Sequence, residues 1–392
     1  MLHDMLQMAG YSREASKAHN QFFSTHVAGR MGRYPRSTSN SKTWKSFMTD
    51  DHTPIELSWN WRPHSRKPTV RYSIEPIGRE AGSELDPLNL ITTYKLLAEL
   101  GTLHSNVDLT WISSLVKPLI IDELSPELHG TQWIQMSQIF LALDLVADQI
   151  MLKIYILPTS RAALEGRSPL AISKDSIQSL QDGEGNAIFD LSLVWSYLDS
   201  FPTSEAPQLE ILAVDAETVH KARLKVYVRT RQTSFASVVQ IFEMGGRLPR
   251  LSERAISSLK DLWNELFGLD ASIAETQPLP VNPHRTAGIL HYFSVRSGSK
   301  LPKIKVYLPV RHYSKNDDQV ARGLSKFLDK QNKQLTDGPY LQGLQRLCKH
   351  RTLEDGLGLH TYISCAFEGD DLEITAYLNP EVGNLSETRS QL

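Results

Sequence analysis

Cysteine is scarce: Cys348 and Cys365 are the only two in 392 residues, too few for a disulfide framework or a thiolate metal site. A reducing compartment is the expected home. No apolar run approaches the roughly 18 to 20 residues that a membrane-spanning helix needs. An excess of positive charge is missing as well, since the formal net charge is -2. That argues against a general nucleic-acid or membrane-surface binder. The start, Met1-Leu2-His3-Asp4, has neither the basic end nor the apolar block of a secretory signal, so a cytoplasmic location is expected. There is no His-Glu-x-x-His, no phosphate-binding Gly-rich loop and no nucleophile elbow.

What is present is a soluble, globular composition, 41% hydrophobic and 22% charged, carrying a recurring pattern. Four stretches hold a cation in one strand register: Val70-Arg71-Tyr72-Ser73, Leu152-Lys153-Ile154-Tyr155, Leu224-Lys225-Val226-Tyr227 and Ile304-Lys305-Val306-Tyr307. A fifth, Ile374-Thr375-Ala376-Tyr377, keeps the register without the charge. From Arg71 to Thr375 the steps are 82, 72, 80 and 70 residues, the mark of a repeat architecture. Residues i and i+2 of a strand share a face, so each unit turns a cation, then usually a tyrosine, to one side and aliphatics to the other.

The patterning predicts a helix over 4–29, a loop over 30–46, and ten strands in five hairpins at about 54–76, 138–158, 209–230, 288–310 and 359–380, within a single domain over 1–392. Helix pairs join the hairpins. Asp86-Pro87-Leu88-Asn89 reads as a helix start with Asp86 as cap, and Asp317 as a cap after Asn316. An open antiparallel sheet with helices on one face fits this pattern. So does a closed barrel ringed by helices, which removes both edges. The charge pattern favours closure, with apolar outer faces on the helices and polar inner faces lining a large, solvent-filled lumen.

On that phase the lumen carries Glu56, Ser58 and Asn60, then Arg71, Ser73 and Glu75, then Lys153 and Tyr155. Arg223, Lys225, Tyr227 and Arg229 follow, with Lys303, Lys305 and Tyr307, and finally His360, Tyr362, Thr375 and Tyr377. Several cations in one cavity repel each other strongly, and a polyanion such as a diphosphate relieves that. Tyrosine faces suit a carbocation. Read singly, a Lys-x-Tyr is a solvated strand face, Glu56 is a surface or capping carboxylate, and Asp144 and Asp215 are turn or pairing residues. The shared register is what argues for more.

These residues resemble the fungal aromatic prenyltransferases of the dimethylallyltryptophan synthase type over almost the whole chain. The markers are Ala9-Gly10-Tyr11, Thr49 to Trp59, Arg71 to Pro76, Asp86 to Asn89, Leu152 to Tyr155, Arg223 to Arg229 and Lys303 to Tyr307. The resemblance implies an α+β fold, a ten-stranded antiparallel β-barrel ringed by α-helices (the ABBA prenyltransferase barrel). It also implies transfer of a dimethylallyl group from dimethylallyl diphosphate to an aromatic acceptor in alkaloid or aromatic polyketide biosynthesis. Glu56 falls at the acceptor-orienting carboxylate. Arg71, Lys153, Arg223 and Lys225, with Lys303 and Lys305, fall to the diphosphate, although Lys305 stands where many members carry Gln. Tyr155, Tyr227, Tyr307, Tyr362 and Tyr377 fall to the cation shield. The Trp-rich segment that usually precedes the first helix is missing from the front, which is expected to leave one barrel end less covered. Asp50-Asp51, Asp317-Asp318 and Asp370-Asp371 lack a third carboxylate at helical spacing, so no metal or other cofactor is expected. The expected partners are the two small-molecule substrates, with no nucleic acid and no membrane, on a monomer or homodimer. A longer prenyl donor, O- or N-attachment, or a non-catalytic barrel carrying a phosphorylated lipid remain the alternatives.

Overall fold

A computed structural model of the chain describes residues 1–33, 44–123, 136–147, 149–181, 185 and 187–382. Its strands are β1 (Ile55–Trp61), β2 (Thr69–Ile74), β3 (Ile139–Val146), β4 (Gln149–Ile156), β5 (Gln208–Asp215), β6 (Arg223–Thr230), β7 (Ile289–Arg296), β8 (Lys303–Leu308), β9 (His360–Glu368) and β10 (Asp371–Leu378). Each pairs antiparallel with its sequence neighbour, and β10 pairs with β1, closing a ten-stranded barrel. The closed alternative is therefore the right one.

Alternation along each strand dictates what faces where. On β1 and β2, Leu57, Trp59, Trp61, Val70, Tyr72 and Ile74 turn outward and are buried. They join one continuous apolar layer with the helices. The helices are α1 (Leu2–Met8), α2 (Arg13–Phe22), α3 (Ile91–Leu103), α4 (Ile112–Val116), α5 (Thr159–Leu164) and α6 (Pro169–Gln178), followed by α7 (Ser192–Leu198), α8 (Phe235–Phe242), α9 (Glu253–Phe267), α10 (Val310–Tyr313), α11 (Asp317–Lys330) and α12 (Tyr340–Leu347). Fully burying each such side chain contributes about 1.5–3 kcal/mol, so this outer layer holds the barrel round. Ser12, Ser168, Ser234 and Ser252 cap their helices with a side-chain oxygen. Where α11 packs on α9, a Cβ on Gly323 would collide with the Glu265 carbonyl. A second, smaller apolar cluster lies inside the barrel, around Phe140, Tyr227, Tyr307 and Tyr362.

Three sequence expectations need correction. The helix over 4–29 is two helices, because Gly10 takes φ +77° and Ser12 restarts the chain as a cap. Tyr11, at the break, donates its hydroxyl to the Leu145 carbonyl and accepts from Val70 N at 3.0 Å, bridging β3 and β2. Asp86 does not cap a helix at 87; it accepts from Leu90 N at 2.9 Å, and the helix starts at Ile91, after Asn89 in the left-handed region. Asn316, not Asp317, caps α11. Asp317 is fully buried and accepts from Arg351, from His360 Nδ1 at 2.8 Å and from His360 N at 2.9 Å. The expected loop over 30–46 falls largely on residues 34–43, outside the described residues. Both cysteines are free and buried. Among the described residues no helix is long and apolar enough to cross a membrane.

Candidate active site

The lumen is organised from one end to the other by strand register. At one end, cations on β2, β4, β6 and β8 alternate with carboxylates on β3, β5 and β10. Lys153 Nζ lies 2.5 Å from Asp144, which also pairs with Arg71 at 3.3 Å. Lys225 and Arg223 approach Asp215 at 2.6 and 2.5 Å. Lys305 pairs with Glu373 at 2.6 Å, and Asn60 links Glu373 to Arg71 through bonds of 2.7 Å each. The two aspartates read as turn or pairing residues are thus the counter-charges of the cluster, and Glu373 is a third that sequence reasoning missed.

Five cations against three carboxylates leave an excess of positive charge, and it shows in the titration. Burial pulls Lys153 down to about 7; Asp144 only partly restores it, while Arg71 and Lys225 repel it. Lys225 is lowered too, chiefly by burial. Burial also acts against the charged form of Lys305, but Glu373 together with Tyr292 and Tyr377 outweighs it and its pKa is raised. Burial pushes Asp144 up, yet Arg71 and Lys153 outweigh it and hold the carboxyl at about 2. A polyanion entering here would complete the charge balance. Lys303 shares the face of Lys305 but lies exposed, without a hydrogen bond or ion pair among the described residues. Arg223 is 37% exposed.

The middle of the lumen is aromatic. Tyr227 has Tyr292 at 4.9 Å between ring centres, Tyr155 at 5.9 Å and Tyr307 at 6.0 Å. Tyr307 adds Tyr377 at 5.5 Å and Tyr362 at 5.9 Å. Burial lifts Tyr227 and Tyr307 well above the ordinary tyrosine value, so both stay neutral. All five tyrosines named from the sequence meet here. Tyr292 is a sixth, and its signal was the alternation Leu290-Tyr292-Ser294 along β7, the first strand of its hairpin rather than the second.

At the other end stands Glu56, accepting from Thr361 Oγ1 at 2.5 Å. Burial lifts its carboxyl to about 7 against the pull of Thr361 and Arg311, with Asp50 adding to the rise. Thr361 reaches the lumen because β9 bulges against β10: Ala376 pairs with Ile363 while Leu378 pairs with His360. The bulge also corrects the lumen expectation for His360. That ring faces outward, between Asp317 and Tyr340 Oη at 2.8 Å each. Glu75 is likewise no open lumen group. Trp44, Ser46, Ser137 and Asn89 donate to its two oxygens at 2.6–3.3 Å, anchoring the segment before β1. Near Glu56 lies Arg311, paired with Asp50 at 3.4 Å; Arg229, paired with Glu210 at 2.5 Å, shares the Tyr362 hydroxyl with Arg311.

Among the described residues two groups bring possible metal ligands together, Asp50 with His284 and His312, and Cys348 with His350 and Glu381. An arginine already occupies each. Arg311 Nε donates to His312 Nε2 at 3.2 Å, and Arg351 Nε donates to Glu381 at 3.0 Å. A cation there opposes a second one.

The geometry agrees with what the chain is similar to. Residues 1–342 match the profile of the family described as tryptophan dimethylallyltransferase. A 4-O-dimethylallyl-L-tyrosine synthase of Claviceps purpurea is 42% identical over 97% of this chain and 86% of its own. A 7-dimethylallyltryptophan synthase of Aspergillus fumigatus is 31% identical over 96% of this chain and 82% of its own. Among solved structures, AnaPT from Neosartorya fischeri superposes with a TM-score of 0.78 at 23% identity, covering 97% of this chain and 92% of that one. NotF in complex with brevianamide F and DMSPP gives 0.77 at 24% identity, with the same coverage. A closed barrel of this topology and a family match across most of its length lead to one conclusion: the chain belongs to the tryptophan dimethylallyltransferase family and is an aromatic prenyltransferase.

Proposed function

We propose that this barrel moves a dimethylallyl group from dimethylallyl diphosphate to the phenolic oxygen of tyrosine, without a metal ion. The observation that carries the donor half is the meeting of Arg71, Lys153, Arg223, Lys225 and Lys305 at one end of the lumen, beside a tyrosine cage. In this reading the cluster grips the diphosphate, with Lys303 at the rim. It stabilises the charge that grows as the carbon–oxygen bond breaks and the electron pair leaves with the diphosphate. These side chains take the place that Mg²⁺ fills in classical isoprenoid enzymes. Tyr155, Tyr227, Tyr307, Tyr362 and Tyr377 then hold the allyl cation against ring faces and keep water from it.

The acceptor half rests on Glu56. A carboxylate with a pKa near 7 suits a general base working near neutrality. Glu56 orients the acceptor's hydroxyl and takes its proton as the new carbon–oxygen bond forms. The tyrosine synthase that is 42% identical over 97% of the chain supports an amino acid phenol as acceptor. Incubation with dimethylallyl diphosphate, L-tyrosine and EDTA, followed by mass spectrometry, tests this. O-dimethylallyltyrosine is the expected product. Turnover that needs added Mg²⁺ would remove the metal-free claim, and no product with tyrosine, tryptophan or a xanthone would remove the reading altogether.

A further inference from the structure

The lumen end around Glu56 holds charges that the transfer chemistry leaves unused, and they are unequally satisfied. Arg229 is saturated: it bonds Glu210 at 2.5 and 2.9 Å and the Thr286 carbonyl at 2.7 Å. Arg311 donates mainly to neutral acceptors, Thr286 Oγ1 at 2.6 Å and His312 Nε2 at 3.2 Å. Among the described residues its one ion pair is with Asp50, at 3.4 Å. Arg285 is exposed, with its guanidinium carbon 4.0 Å from the centre of the Phe47 ring, and has no ion-pair partner among the described residues. The Asp50 carboxylate is 45% exposed. Glu56 feels the charges of both Arg311 and Asp50, and Arg285 feels those of Glu210 and, more weakly, Asp50. Asp50 is therefore coupled to Arg311, to Arg285 and to the carboxylate that faces the acceptor, while Glu210 is already bound to Arg229.

We propose that these groups read the backbone of a free aromatic amino acid: Arg285 and Arg311 take the α-carboxylate, Asp50 takes the α-ammonium, and Phe47 flanks the side chain. The assignment rests on the reading above that the acceptor's hydroxyl meets Glu56. A carboxylate gives each guanidinium the charge-assisted bonds it lacks. It also frees Asp50 from Arg311 to meet the ammonium. A neutral polycyclic phenol offers neither group and gains nothing from these charges, so the site favours the amino acid over it.

The test compares L-tyrosine, tyramine and 3-(4-hydroxyphenyl)propanoate as acceptors at saturating dimethylallyl diphosphate, with wild type, R285Q and D50N. Wild type is expected to prefer L-tyrosine over either analogue by about tenfold or more in kcat/KM, chiefly through KM. R285Q should erase most of the preference over tyramine, and D50N most of the preference over the propanoate. Each ratio is taken within one preparation, so partial loss of folded enzyme cancels. Equal use of all three by wild type, or unchanged ratios in both variants, overturns the assignment while leaving phenol prenylation standing. Prenylation of none overturns the underlying reading and the assignment with it.

Discussion

Asp144 and Glu56 are both carboxylates on the inner face of one barrel, and they titrate in opposite directions. Asp144, between Lys153 and Arg71, is held at about 2. Glu56, whose hydrogen-bond partner is a threonine hydroxyl, rises to about 7. Burial raises both. What separates them is whether a cation stands within ion-pair reach or a neutral donor does. The Asp144 carboxylate is thereby set to stay charged, and Glu56 to exchange a proton near neutral pH. A related contrast runs through the cations: Arg229 has the Glu210 carboxylate on its fork, whereas Lys153 shares Asp144 with Arg71 and is desolvated beside two like charges.

The contrast is broken most severely at Glu56. E56Q keeps the shape and loses the base, so kcat should fall by about 10²–10⁴-fold, measured as initial rate at saturating donor. Stability should not fall with it. A carboxyl raised to about 7 supports the folded state only while protonated, and that support fades as pH rises through about 7. E56Q should therefore melt at the same temperature as wild type or higher at pH 8, and a lower value would make Glu56 structural. At the opposite end, K225A should weaken binding of a non-hydrolysable dimethylallyl diphosphate analogue by about 10–100-fold by calorimetry. Unchanged affinity would count against the cationic cluster.

A pH profile sharpens the comparison with a smaller effect. Donor binding needs Lys153 charged, so affinity should drop as pH rises through about 7. The acceptor step needs Glu56 ionised and should rise over the same range. The resulting bell in kcat/KM should lose its acidic limb in E56Q and keep the basic one. The smallest effect belongs to the aromatic middle. Y292F keeps the ring and should alter kcat by less than about threefold, whereas Y292A opens the cage and should raise the share of dimethylallyl alcohol seen by gas chromatography.

Much of this was legible in the chain, and the failures have local causes. The five hairpins fell where expected because their faces alternate cleanly, with bulky aliphatics such as Ile154 and Val226 outside and Lys153 and Lys225 inside. His360 failed because a bulge resets the alternation between Thr361 and Ile363, and a period-2 reading cannot register an extra residue. The helix over 4–29 failed because Gly10 turns left-handed in the middle of a helical pattern. Tyr292 was within reach of the same alternation, had both strands of every hairpin been read alike, and Glu373 is one step further along the face of Thr375 and Tyr377. Arg311 and Arg285 were not, since they lie outside the strands.

The sequence by itself determined the strand count, the repeat and which residue types face inward, because alternation is a local property of extended chain. Only the tertiary structure decided which charges meet. Glu56 finds Thr361 across 305 residues of chain and Asn60 finds Glu373 across 313. Those pairings exist because β10 closes on β1 and the strands stagger around the barrel. Closure brings distant side chains within ångströms, and at such range a neighbour's charge, more than a residue's own chemistry, sets what it can do.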